Sequence, residues 1–325
     1  MLEKKSINWY TFSTMKNQTI QCVECSSHME KHDQSWRCKE CRKEYTKNED
    51  GVYIAWPNNL SQMEKDEIAY HDTFDENAEE THQLRRPRNY FYHNLVWQYM
   101  KKQEKGVDFL EIGCGSGFDA KQFAQDYTLT LSDISPKTLY RLKKVLGEKV
   151  AMYVAAEGST MPFADESFSC VYMFATLHHL EQPRQAIKEY ARLLRSGGLF
   201  VAAIEPNRFY FKQIKRFRNI LCKLTHMKHE DGSHADAEME GFSQKEIAHF
   251  FSKEVWKNVD IRPMWFFAGF LHYMLEFLFR GLKRKERIRL PKIIETAIVH
   301  IDEAFFKIPG AKHLCWHWII TAKKQ

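Results

Sequence analysis

The chain has 325 residues, 44% of them hydrophobic and 28% charged, with a formal net charge of +6. This is ordinary for a soluble globular protein of about two domains, one of them large enough for a sizeable core. No apolar run of signal-peptide length opens the chain, and the longest apolar stretch, Trp265–Phe279, is broken by His272 and Glu276, so neither export nor a bilayer span is expected.

Residues 1–58 are polar and cysteine-rich. Residues 59–105 are helical in pattern, with apolar and aromatic positions at Tyr90, Phe91, Leu95, Val96 and Tyr99. From residue 107 short apolar runs alternate with helical ones. Strands are predicted at 107–112, 128–131, 150–154, 169–174 and 198–204, with helices at 118–126, 136–146 and 183–195. That alternation is the pattern of βαβ units and a parallel sheet. Beyond Ile204 it loosens. Residues 206–229 are basic and apolar without an acid, and 230–240 are acidic without a lysine or arginine. Residues 241–251 read as a short helix with Ser243 as N-cap and Glu246 three positions on. The stretches 255–261 and 313–322 are expected to close the sheet as a hairpin, with a long helical insertion between them.

Four of the eight cysteines form two C-x-x-C pairs, Cys22/Cys25 and Cys38/Cys41, with twelve residues between them. Each pair suits a knuckle turn that aims two thiolates at one tetrahedral ion. Without an export signal that pattern favours structural zinc over a disulfide pair or free thiols. His28 and His32 lie between the knuckles and are surplus to four ligands.

The stretch LEIGCGSG (110–117) places Gly113, Gly115 and Gly117 at the end of a strand. Glycine there lets a ligand approach the backbone closely. Asp133 lies twenty residues beyond Gly113, at the end of the next strand, where a carboxylate accepts hydrogen bonds from ribose hydroxyls. Loop and acid alone do not separate a nicotinamide dinucleotide from another adenosine-bearing ligand.

Together with LSDISPKTL (131–139), AEGSTMPFADESFS (156–169), the run 177–207 and GFSQKEI (241–247), this loop resembles class I S-adenosylmethionine-dependent methyltransferases. The resemblance is to the type 11 group that includes the ubiquinone/menaquinone-biosynthesis enzymes. It implies an α/β fold: a Rossmann-like core of seven strands, mostly parallel with the last antiparallel. It divides the chain into a zinc ribbon (1–58), a helical lid or linker (59–105) and a cofactor-binding domain (106–325) with insertions near 206–240 and 263–311. It also implies site residues for S-adenosyl-L-methionine. Glu111 stands near the methionine amino group, above the loop of Gly113, Cys114, Gly115 and Gly117. Asp133 takes the ribose, Ile134 packs on the adenine, Glu157 and Gly158 meet its edge, and Phe174 faces the same pocket. Ser169 stands where an acid is common in the family, and Glu157 where Asp is usual.

A methyl donor of this kind needs alignment and exclusion of water rather than a catalytic metal or covalent nucleophile. His178 and His179 are candidate bases or the turn into the next helix. The lid region offers Tyr70, His71, Asp72, Arg85, Arg86, Tyr90, Tyr92 and His93. Basic amphipathic segments 206–229 and 264–292 flank or contain the aromatic stretch. They read either as solvated faces or as peripheral contact with the inner face of a membrane, which points to a small or lipid-linked acceptor and a cytoplasmic location. The alternative is a base methyltransferase of rRNA or tRNA that uses the ribbon for RNA or partner binding, since a ribbon on this fold also resembles certain ribosomal-RNA guanine methyltransferases and small methyltransferase activators. A non-catalytic scaffold is a third reading, opposed by the intact glycines and Asp133.

Overall fold

The computed structural model describes residues 20–73, 84–225, 240–281 and 289–325. The acidic run from 230 to 239 and the basic positions Lys228, Lys283, Arg284, Lys285 and Arg287 lie outside them. The first sheet is a small antiparallel one of β1 (Met29–His32), β2 (Ser35–Cys38) and β3 (Glu44–Thr46). Next come β4 (Tyr53–Ile54) and two helices, α1 (Gln62–Thr73) and α2 (Pro87–Met100).

The main sheet contains β5 (Asp108–Ile112), β6 (Thr128–Asp133), β7 (Met152–Ala155), β8 (Phe168–Phe174) and β9 (Leu194–Pro206). Between them run α3 (Pro136–Leu146) and α4 (Pro183–Leu193). After β9 come α5 (Arg208–Thr225), α6 (Gln244–Phe250), β10 (Trp256–Met264), α7 (Phe267–Gly281), α8 (Lys292–Phe305) and β11 (His317–Lys324). The strand order is β10-β11-β9-β8-β5-β6-β7-β4. β11 is antiparallel to both of its neighbours, and the pairings from β9 to β4 are parallel.

The expected seven strands are all present, and the sheet carries an eighth. β4, read in the sequence as part of the cysteine-rich segment, adds to the outer edge by pairing Tyr53 with Val154 and Ile54 with Ala155. β5, β8 and the second half of β9 are buried along most of their length, as strands of a parallel sheet covered on both faces are. Local signals mark several helix starts. Ser135 accepts the Thr138 N–H at α3, and Ser243 with Glu246 forms a complete capping box at α6.

The helix predicted at 118–126 does not form. Only a 3-10 turn, Ala120–Gln122, is regular, and hydrogen bonds three and four residues back alternate around it. Side chains hold this segment to α2 rather than letting it run on. Asp119 accepts the Trp97 Nε1–H at 2.7 Å and meets His93 Nδ1 at 2.7 Å. Phe118 packs against both of those rings.

The C-terminal insertion is fastened by buried charges. Asp302 of α8 accepts the N–H groups of Phe266, Phe267 and Ala268, three of the donors that the start of α7 leaves unpaired. Glu295 of α8 pairs with Arg86, just before α2, and with Arg88 of α2. The small sheet, in turn, docks on its own chain. Ile20 bridges Phe163, Gln21 N–H donates to Pro162 O, and Cys22, Met29 and Tyr45 share one core with Met161 and Phe168.

Phe200 is fully buried at the centre of that core, stacked on Tyr190 at 5.6 Å and against Phe251 and Trp256, both at 5.8 Å. Truncation loses the ring's burial and leaves a cavity. Phe200→Ala is therefore expected to lower unfolding free energy by about 3–5 kcal/mol, read from urea denaturation midpoints.

Candidate functional site

The carboxyl ends of β5, β6, β7 and β8 open onto a cavity of about 300 Å3. This is where open α/β sheets bind ligands. The structure brings together there Glu111, Gly113, Cys114, Gly115, Asp133, Ile134, Glu157, Gly158, Phe174 and His179. Gly117 and His178 are not among its lining residues.

Gly113 has φ +65, and a Cβ on it would lie 2.4 Å from Thr176 Oγ1, so no other residue fits. Gly117, at φ +64, faces Leu142 instead and closes the loop by donating its N–H to Cys114 O at 2.8 Å. The Gly115 N–H donates to Asp133 Oδ2 at 3.1 Å, and the Ser135 N–H to Asp133 Oδ1 at 3.0 Å. Glu111 is buried and accepts the Tyr172 hydroxyl at 2.8 Å. Glu157 accepts the Ser159 N–H at 2.7 Å.

Burial pushes the carboxyls of Glu111, Asp133 and Glu157 above their ordinary range, most strongly at Glu111, where the charge of Asp119 adds to it. The described lining carries seven carboxylates, from Glu64, Glu67, Glu111, Asp119, Asp133, Glu157 and Glu181, and among the described residues no lysine or arginine. Such a cavity attracts a cation and repels a pyrophosphate.

The two candidate histidines part company. His178 turns to the fully buried Glu205, at 2.8 Å, and Glu205 also accepts the backbone N–H groups of Thr176, Leu177 and His178. That is the hydrogen-bonding of a turn. His179 lines the cavity with its Nδ1 3.6 Å from Glu67 Oε2.

On the small sheet the sulfurs of Cys22, Cys25, Cys38 and Cys41 all lie within 4.8 Å of one another. The nearest separations are 3.4 Å for Cys22–Cys41 and 3.5 Å for Cys25–Cys38. These are far too long for disulfides. They approach the spacing of about 3.8 Å that four thiolates adopt around one tetrahedral ion at about 2.3 Å. Among the described residues this is the one group of His, Cys, Asp or Glu side chains gathered tightly enough to hold a metal ion, and His28 and His32 are not part of it.

Among protein families, residues 110–202 match the methyltransferase domain. The match takes in the glycine loop, Asp133 and Glu157 and covers less than a third of the chain. Three curated relatives are similar to it. An uncharacterised chloroplastic methyltransferase of Arabidopsis thaliana is 34% identical over 118 residues, 33% of each chain. A probable tRNA methyltransferase 9B of Mus musculus is 29% identical over 149 residues, 43% of this chain and 32% of that one. An O-methyltransferase of Aspergillus sclerotiorum is 31% identical over 104 residues, 30% of this chain and 39% of that one. The chain thus spans about a third of the length of these relatives. In fold, it is similar to phosphoethanolamine N-methyltransferase 2 of Haemonchus contortus, with a TM-score of 0.53, 16% identity, and coverage of 83% of this chain and 61% of that one.

The cavity draws on residues that the sequence motifs do not single out. α1 lays Glu64, Glu67 and His71 along one wall, and Asp119 comes from the segment misread as a helix. Trp56, just after β4, donates its Nε1–H to Ile134 O at 3.1 Å. No periodicity marks Glu67. Asp72 and Arg86, named as lid candidates, serve elsewhere: Asp72 accepts the Ser135 hydroxyl, and Arg86 pairs with Glu295.

Because the folded Glu111 carboxyl sits above its ordinary pKa, its ionised form weighs against the fold once pH exceeds about 4.3. Glu111→Gln is therefore expected to raise the urea midpoint of the cofactor-free protein at pH 7 and to leave it unchanged near pH 3.

Proposed function

We propose that this protein transfers a methyl group from S-adenosyl-L-methionine to a small-molecule or lipid-linked acceptor. The observation that carries this reading is the acidic cavity at the strand ends, seven carboxylates without a lysine or arginine, with Asp133 at its floor. A nicotinamide dinucleotide would bring two phosphates to that field. It would also find no regular helix N-terminus after the glycine loop to receive them. A ligand bearing a sulfonium and an ammonium suits the same field.

The donor, when bound, supplies an already activated methyl group. The residues of this chain bind it, orient it and exclude water. Asp133 faces the ribose hydroxyls, Ile134 and Gly158 the adenine ring, and Glu157 the adenine amino group. Glu111 stands toward the methionine ammonium, and Phe174 walls the same end. Helices α1 and α2 cover the mouth in the manner of a lid.

The relatives named above include tRNA and O-methyltransferases, so their names support methyl transfer without choosing the acceptor. The lipid-linked reading rests on exposed apolar side chains beside basic ones. Phe209 is exposed on α5 near Lys212, Lys215 and Arg216, as are Phe267 and Phe270 on α7 and Ile293 on α8. These fit peripheral contact with an anionic membrane surface. Among the described residues no helix is long and apolar enough to cross a membrane.

The four thiols are proposed to hold one structural zinc ion. All four positions of a tetrahedron are then filled by protein, which leaves no open site for chemistry.

Asp133→Ala tests the cofactor site. Calorimetry with S-adenosylhomocysteine is expected to show affinity about 10–100-fold weaker than wild type, and unchanged affinity would refute the assignment. For the ribbon, elemental analysis of purified protein should give one zinc per chain. Cys38→Ser, which takes a ligand from a fully buried position, should lose the metal and lower Tm by several degrees.

A further inference from the structure

His93, on α2, is 2% exposed, and its ring forms part of the cavity wall with Glu111, Asp119 and Phe174. Its Nδ1 lies 2.7 Å from Asp119 Oδ1, an oxygen that also accepts the Trp97 Nε1–H. The imidazole lies flat on Phe174, 5.0 Å away at 8°, and meets Phe118 edge-on at 5.3 Å. Three aromatic neighbours and one carboxylate therefore fix the ring in place.

The other nitrogen, Nε2, is buried and has no hydrogen-bond partner among the described residues. A buried polar atom left unsatisfied is costly, and native structures that keep one have a use for it. The tautomer in which Nδ1–H donates to Asp119 leaves the lone pair on Nε2. A carboxylate, an imidazole oriented by it, and an unpaired ring nitrogen on a residue that lines the cavity are the parts of an oriented base.

We propose that His93 is the general base of the methyl transfer and that Asp119 is its positioning residue. The acceptor is then one that carries an O–H or N–H which must lose its proton as the methyl arrives. This rests on the methyl-transfer reading of the cavity. In the step, a bond forms between the methyl carbon and the acceptor oxygen or nitrogen. The S–CH3 bond breaks with its electron pair left on sulfur, and the acceptor proton passes to Nε2. Asp119 steadies the resulting imidazolium, which returns its proton to water after product leaves. The ionisable groups gathered at this corner are Asp119, Glu111 and Tyr172, while Phe118, Phe174 and Trp97 contribute no charge. The two candidate histidines of the sequence, His178 and His179, lack this arrangement. His178 is turned to Glu205, and His179 stands beside Glu67 with 23% of its side chain exposed.

The test uses full-length protein with His93→Asn, which keeps a donor for Asp119 but removes the Nε2 lone pair, and Asp119→Asn. Calorimetry with S-adenosylhomocysteine should give affinities within about threefold of wild type for both. In 15N-histidine NMR at pH 8, the resonance lost in His93→Asn should be a neutral Nδ1–H tautomer in wild type and should shift in Asp119→Asn. Transfer of radiolabelled methyl into lipid and small-molecule cell extracts should fall about a hundredfold or more in His93→Asn and recover as pH rises. An Nε2–H tautomer at His93 overturns the proposal even where the extracts offer no acceptor. So does a His93→Asn rate within threefold of wild type, or loss of S-adenosylhomocysteine binding confined to that variant. Failure of wild type itself to bind S-adenosylhomocysteine would instead remove the methyl-transfer reading.

Discussion

One buried carboxylate organises the site. Asp133 ends β6 and accepts the N–H of Gly115 with one oxygen and that of Ser135 with the other. The first bond fixes the glycine loop, and the second fixes the start of α3. Ser135 then caps α3 and donates its hydroxyl to Asp72 of α1 at 2.7 Å. Strand tip, loop, α3 and α1 are thus joined through the side chains of Asp133 and Ser135. Burial holds that carboxyl above its ordinary range, so its ionisation is incompletely compensated in the protein alone. Donors on a bound ligand would complete the compensation, which links binding to the integrity of the loop.

A second line of contacts runs from the cysteine knuckles to the same place. The small sheet rests on Pro162 and Phe163, directly after the Glu157–Gly158 wall of the cavity. The chain leaves it as β4, pairs beside β7, and sets Trp56 against the carbonyl of Ile134 before entering α1. The small sheet is therefore built into the main domain rather than tethered to it. Its thiol cluster and the Glu157–Gly158 end of the cavity share a short stretch of backbone.

Much of this was legible in the sequence because the relevant signals are local. The apolar runs of β5, β8 and β9 are long enough to read as doubly covered strands. Pro136 after Ser135, and Ser243 with Glu246, mark their helices directly. The glycines and Asp133 could be placed because strand ends are predictable once the alternation is seen. What escaped is set by side chains that meet across long separations. Residues 118–126 have helical spacing, yet Asp119 and Phe118 are claimed by His93 and Trp97 more than twenty positions earlier. β4 is two residues long and exists only because β7 offers an edge. Adjacent histidines in one doublet look alike in sequence, and only Glu205 and Glu67, from opposite sides, tell them apart.

The pairing of β4 with β7 also constrains the order of events during synthesis. The two thiol knuckles emerge from the ribosome first and can capture an ion at once. Their docking partners, Val154, Ala155 and Phe163, appear only after roughly a hundred further residues have been made, a matter of about 5–20 seconds at ordinary elongation rates. Over that interval Ile20, Met29 and Tyr45 await the Met161–Phe168 part of the core they share. Until β7 and Phe163 arrive, the small sheet is a nascent module with a waiting face.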